Sequence, residues 1–205
     1  MNFLIIIFFL FLSLFQPAIL TEAQEAWETR PQDKQELAAA KQKVVYSFLD
    51  VFPQARAIRY PKFGKTEGSW VEDHFEFSDA PGLSDIFIGR NFEVNATVHE
   101  SIAWKIQPDV ASNLIFTRVP PGRKLKLFLA MPDIAFKKEK VWPIQLEAWI
   151  GGKKILESEI QAKGWRQEEV DLTVPFLLQR SYVVSFKVYS TAKEETLLLF
   201  RGSIE

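Results

Sequence analysis

In three stretches of this chain the apolar residues fall on alternate positions. They are Leu125, Leu127 and Leu129; Ile144, Leu146, Ala148 and Ile150; and Val184, Phe186 and Val188. Between them stand Lys124, Lys126 and Phe128; Gln145, Glu147 and Trp149; and Ser185, Lys187 and Tyr189. A period of two marks an extended strand with one face in a core, whereas a helix repeats every 3.6 residues. Phe92, Val94 and Ala96 alternate with Glu93, Asn95 and Thr97 in the same way. Gly151-Gly152 separates two of these runs and predicts a hairpin, because both central positions of a type I′ turn need positive φ. Pro120-Pro121-Gly122 cannot continue a central ladder, since proline donates no hydrogen bond, so it turns a corner between Asn113–Val119 and Lys124–Ala130. From Ser84 to Glu205 the chain reads as roughly eight or nine short strands, which predicts an all-β antiparallel β-sandwich.

Three segments precede that body. Phe3 to Phe15 is an apolar run of signal-peptide length, and Thr21-Glu22-Ala23 offers small residues at −3 and −1 of a cut before Gln24. Residues 1–23 are therefore expected to be a signal peptide, and the protein to be exported to a periplasm, a cell surface or the medium. An uncleaved anchor over the same segment is the alternative, and it is the one route to a membrane. Residues 24–53 predict an amphipathic helix: Asp33 and Glu36 form a capping box, and Leu37, Val44, Val45, Phe48, Leu49 and Phe52 share one face up to Pro53. That stripe must lie on something, either its own domain or a partner. Residues 54–83, with Pro61, Gly64, Gly68, Pro81 and Gly82, predict an irregular linker.

Composition narrows the function classes. Losing Glu22 with the signal leaves 26 − 1 = 25 acids against 25 bases, without the positive surplus that holds a polyphosphate backbone, so nucleic acid is not an expected partner. The chain has no cysteine, which excludes disulfides and thiolate nucleophiles. Its two histidines, His74 and His99, stand outside any zinc-type spacing; Glu72-Asp73-His74 is a weak cation candidate that also reads as a solvated loop. No nucleophile elbow, phosphate loop or dinucleotide fingerprint occurs. Catalytic residues are thus not expected. Paired carboxylates of a glycan-acting hydrolase are a spatial pattern, and they stay open as a minor alternative. No cofactor is expected, although a structural calcium held by backbone carbonyls would leave no trace in residue identity.

The functional signal lies in aromatics on the polar side of their strands. By parity Trp149 stands with Gln145 and Glu147, Tyr189 with Ser185 and Lys187, and Phe128 with Lys124 and Lys126. Flat rings beside amide, carboxylate and ammonium groups suit a sugar, which stacks its C–H face and hydrogen-bonds its hydroxyls. The candidate ligand-binding residues are Trp149, Tyr189, Phe128, Glu147 and Gln145, with Trp104 and Trp165 supplementing them from neighbouring turns. The same rings would equally serve as a landing site for the amphipathic helix.

A wider pattern accompanies these features. His99-Glu-Ser-Ile-Ala-Trp-Lys-Ile106 leads to Val119-Pro-Pro-Gly122 and Lys124–Ala130. The Trp142 to Ile150 strand with Gly151-Gly152 follows, and then Lys163-Gly-Trp165 before Val170-Asp-Leu172. In that order the residues resemble the galactose-binding-like jelly-roll β-sandwich domain found N-terminal to bacterial sulfatase-like domains, over about Phe92 to Ser190. No sulfatase domain follows in this sequence. The resemblance implies an accessory binding module, and with a bacterial source it leaves the glycosylation acceptor Asn95-Ala-Thr97 without use. The expected function is a non-catalytic exported module recognising carbohydrate or a cell-envelope component. The alternative is an envelope structural or assembly protein that binds another protein through its helix or sheet edge.

Overall fold

The computed structural model describes residues 46–138, 140–172 and 180–205. Strand β1 covers Tyr46–Ser47, β2 Arg56–Tyr60, β3 Thr66–Val71, β4 His74–Phe77, β5 Ala80–Gly89, β6 Glu93–Val94, β7 Thr97–Val98 and β8 Ser101–Ile106. Strand β9 covers Ala111–Val119, β10 Lys124–Ala130, β11 Ile144–Ile150, β12 Lys153–Ile160, β13 Arg166–Asp171, β14 Tyr182–Ser190 and β15 Thr196–Ile204. One antiparallel path runs β12-β11-β14-β9-β2-β3-β4-β5-β8-β15-β10-β13, with β1 added to β15. Strands β6 and β7 form a separate pair.

The path turns over on itself to make a sandwich. Phe186 of β14 and Phe200 of β15 belong to strands that do not pair, yet their ring centroids lie 4.7 Å apart. The Trp104 indole N–H on β8 donates across the interior to Ser112 Oγ on β9 at 2.8 Å. Leu125, Leu127 and Leu129 share one buried cluster with Ile144, Leu146, Ala148, Ile150, Val184, Phe186 and Val188, as their alternation implies. Gly151 and Gly152 sit at φ 57° and 81° between β11 and β12, the conformation a two-residue turn demands. At the proline corner, Gly122 lies so close to Ile204 that a Cβ would collide with it, which explains the residue type better than backbone freedom does.

The ends of the path, β12 and β13, come together through side chains. Ser158 Oγ donates to Glu168 Oε1 at 3.0 Å, and Arg166 Nη1 donates to the Glu159 carbonyl at 3.0 Å. Among the described residues no backbone ladder joins these two strands.

Two expectations need correction. The helix ending at Phe52 falls partly outside the described residues, with Leu37, Val44 and Val45, but its last turns are not helical. Tyr46–Ser47 pairs with Ile204 and Ser203, and Phe52–Gln54 is a 3₁₀ turn. Tertiary packing overrides the helical spacing. Phe48 packs against Phe116 and Phe186, and Phe52 against Trp70 and Phe75, so both rings are fully buried plugs of the sandwich.

The segment read as an irregular linker instead supplies β2, β3, β4 and the start of β5 to the sheet. Its alternation is masked by an arginine on an inward position. Arg59 sits between the inward Ala57 and the end of the core. There it pairs with Asp85 Oδ2 at 2.8 Å and lies 5.0 Å above the Phe77 ring. Burial pushes the Asp85 carboxyl above its usual range, opposed by the Arg59 charge and the Gln107 amide.

The outer face of the second sheet, the β8-β15-β10-β13 end of the path, carries a smaller core. Ala103, Ala130 and Leu199 stand one position off the inward residues of β8, β10 and β15, and they are fully buried with Val94 of the β6–β7 hairpin. Phe87, Phe92, Leu197 and Trp165 pack around them. The hairpin turn, with Asn95 and Ala96 at φ 52° and 59°, is tied down by Asp133. The N–H of Asn95 donates to Asp133 Oδ1 at 3.1 Å, and that of Ala96 to Oδ2 at 3.2 Å.

Candidate ligand-binding face

The outer face of the first sheet is built in rows across β12, β11, β14, β9 and β2. Antiparallel register places Gln145 opposite Tyr189 and Glu159, Glu147 opposite Lys187 and Glu157, and Trp149 opposite Ser185 and Lys154. Lys187 lies opposite Asn113, and Tyr60 opposite Ala111. Parity sends all of these side chains away from the core.

Trp149 is half-buried, and its indole N–H donates to Glu147 Oε2 at 3.2 Å. Glu147 lies two positions earlier on the same strand face. The indole therefore leans back along β11 toward Glu147. The Glu147 carboxylate is nearly covered, 8% exposed, and its second oxygen lies 3.5 Å from Lys154 Nζ. Lys154 also meets Glu157 at 2.6 Å, and that carboxylate, with Glu147 adding to it, holds the lysine above its ordinary pKa. The Gln145 amide donates to Glu159 Oε2 at 2.5 Å.

At the other end of the face, Tyr189 is half-buried with the Lys187 ammonium 5.5 Å from its ring. Beside it is a hollow of about 290 Å³ lined by Asp109, Val110, Ala111, Lys187, Tyr189 and Ser190. Ala111 keeps the floor low between Tyr189 on β14 and the exposed Tyr60 on β2, and Asp109 enters at φ 58° from the turn before β9.

The structure therefore brings together Trp149, Glu147, Gln145 and Tyr189 and separates them from the other candidates. Phe128 stands opposite Gln167 and Arg201, on the outer face of the opposite sheet. Trp104 is fully buried with its N–H satisfied, because its parity on β8 is inward. Trp165 packs into the small core under the hairpin, with the exposed His99 ring edge-on at 5.9 Å. Lys187 joins the face as its parity implies, and Tyr60 and Asp109 join it although spacing did not single them out. Tyr60 was hidden by the inward Arg59 beside it, and Asp109 by a turn with no pattern of its own.

His74 lies between Asp73 Oδ1 and Glu76 Oε1, at 3.3 and 3.4 Å. Among the described residues no group of three or more His, Cys, Asp or Glu side chains gathers to hold a metal ion. At the loop end of the sandwich, Ile134 is exposed between two hollows of about 200 and 560 Å³. One of these carries Trp142 with the Lys140 ammonium 3.8 Å from its ring.

No protein-family profile matches this chain, and neither does any curated protein. Among solved structures it is similar to the CBM51-2 and INT domains of ZmpB from Clostridium perfringens, at 10% identity and a TM-score of 0.40, covering 72% of this chain and 29% of that one. It is similar to CBM27-1 of Caldicellulosiruptor saccharolyticus, solved in complex with mannohexaose, at 7% identity and a TM-score of 0.42, covering 58% and 80%. It is also similar to the K1 cleaved adhesin domain of Lys-gingipain from Porphyromonas gingivalis W83, at 14% identity and a TM-score of 0.42, covering 73% and 97%. Carbohydrate-binding modules and adhesin domains are thus among the folds it resembles, and at TM-scores of 0.40 to 0.42 nothing about ligands passes from them to this chain.

Proposed function

We propose that this protein is a non-catalytic binding module that recognises carbohydrate through the outer face of β11 and β14, outside the cytoplasm. One observation carries the reading: Trp149 is laid along the strand by its hydrogen bond to Glu147, on the same face as Tyr189 and its hollow. A recumbent indole offers a π surface to the C–H face of a sugar, while Lys187 supplies a donor and Asp109 an acceptor for hydroxyls. Three carboxylates of the face are engaged, Glu147 by Trp149 and Lys154, Glu157 by Lys154 and Glu159 by Gln145, which leaves Asp109 at the hollow. That favours binding over hydrolysis, which takes two carboxyls acting together on one bond.

Glycan-array screening of the full chain beside Trp149→Ala tests the proposal. Binding by the parent and its loss in the variant are expected, and equal binding by both would remove the site. Export rests on the apolar Phe3 to Phe15 run and the Thr21-Glu22-Ala23 cut site; secretion of a reporter fused to residues 1–23 tests it.

A protein partner is favoured by one feature, the exposed Ile134 between its two hollows. That reading predicts that Ile134→Asp abolishes a partner contact while leaving glycan binding intact.

A further inference from the structure

We infer that this face takes a linear glycan chain lying lengthwise over β11 and β14, and not a single terminal sugar; the inference rests on the carbohydrate reading above. Trp149 stands opposite Ser185 and Tyr189 opposite Gln145. The two rings are therefore on neighbouring strands but 189 − 185 = 4 positions apart along them. At a rise of ~3.4 Å per residue, four positions put their strand positions about 13–14 Å apart. One pyranose is comparable in size to one aromatic ring, so it stacks on one platform and leaves the other untouched.

What lies between the platforms is suited to hydroxyls. The row of Glu147 and Lys187 separates them, and Gln145 follows beside Tyr189. Lys187 has no ion-pair partner among the described residues, so its ammonium, 5.5 Å from the Tyr189 ring, is free to donate to a sugar oxygen beside that platform. Glu147 serves as a positioning residue: it draws the indole of Trp149 toward the Tyr189 end, along the line a chain would follow. At that end the hollow lined by Asp109, Ala111 and Ser190 receives the last residue of the run. A stack, a polar middle and a second stack form a series of subsites whose length exceeds one sugar.

The test is calorimetry of the full chain against galactan, mannan, xylan and glucan oligosaccharides, each as a ladder from monosaccharide to hexasaccharide. Affinity for the preferred sugar is expected to rise about tenfold or more, ~1.4 kcal/mol or above, from monosaccharide to tetrasaccharide and then to level off. Trp149→Ala and Tyr189→Ala are each expected to abolish tetrasaccharide binding. Circular dichroism of each variant confirms the fold. Tyr189→Phe, which keeps the ring, should retain the length dependence, and its loss there would contradict stacking at that subsite. A monosaccharide that binds as tightly as a hexasaccharide would overturn the chain inference and leave the carbohydrate reading standing. No binding at any length by any ladder would overturn both.

Discussion

The two outer faces of this sandwich obey the same strand parity and end differently. On the second sheet, small and aliphatic side chains at the outward positions of β8, β10 and β15 are sealed under the β6–β7 hairpin, Phe92 and Trp165. On the first, the outward positions of β11 and β14 hold Trp149, Lys187 and Tyr189 half-open to solvent, with Glu147 nearly covered beside them. An outward aromatic is thus either part of a second core or a platform, and what decides is its neighbours. Ala103, Ala130 and Leu199 leave a flat apolar floor that only burial satisfies, whereas charged rows keep a face wet. Phe128 shows how local the decision is, since it shares β10 with the buried Ala130 and yet lies beside Gln167 and Arg201.

Substitutions on either face test this contrast. The largest effect is expected at the joint both sheets share. Arg59→Met leaves the Asp85 carboxylate buried without its partner and should cost about 3–5 kcal/mol in urea denaturation. With its folded pKa raised, Asp85 takes up a proton more readily in the fold than in the unfolded chain. In the parent its contribution therefore erodes as pH rises from the ordinary Asp value through the raised one. Asp85→Asn should flatten that slope.

Leu199→Ala, under the hairpin, comes next at about 2–4 kcal/mol for a fully buried leucine. Trp149→Ala on the open face should fall within about 1 kcal/mol while abolishing glycan binding. Equal costs for the two variants would erase the distinction between the faces.

A finer probe is Asp133, whose carboxyl is held below its usual range chiefly by the N–H of Ala96 and also by that of Asn95. The hold it gives the hairpin is present above the ordinary Asp pKa of about 3.9 and is lost as pH falls through the lowered value. Asp133→Asn should lower the melting midpoint at neutral pH and flatten its acid limb. An unchanged acid limb would mean that the hairpin does not depend on this carboxylate.

These contrasts also show how far the residues alone could be read. Strands with aliphatic inner rows and polar outer rows were legible from period two, as were the Gly151-Gly152 turn and the proline corner. Strand β2 was not, because an inward Arg59 carries the wrong polarity for its position and is satisfied by Asp85, 26 residues later. Phe48 and Phe52 have the spacing of a helix face, and it is their fit among Phe116, Phe186, Trp70 and Phe75 that holds them, a long-range fact. In the candidate face, parity placed Trp149, Glu147, Gln145 and Tyr189 on outward positions. It could not say which sheet Phe128 belongs to, that Trp104 turns inward on its strand, or that Ala111 and Asp109 would open a hollow beside Tyr189. Those depend on which strands become neighbours.

The most direct measurement is glycan binding by three single variants in parallel, Trp149→Ala, Tyr189→Ala and Phe128→Ala, each checked for fold. Loss of binding in the first two with Phe128→Ala equal to the parent is the result expected of a ligand face on β11 and β14. Binding that survives Trp149→Ala and Tyr189→Ala, or that disappears with Phe128→Ala, would contradict it.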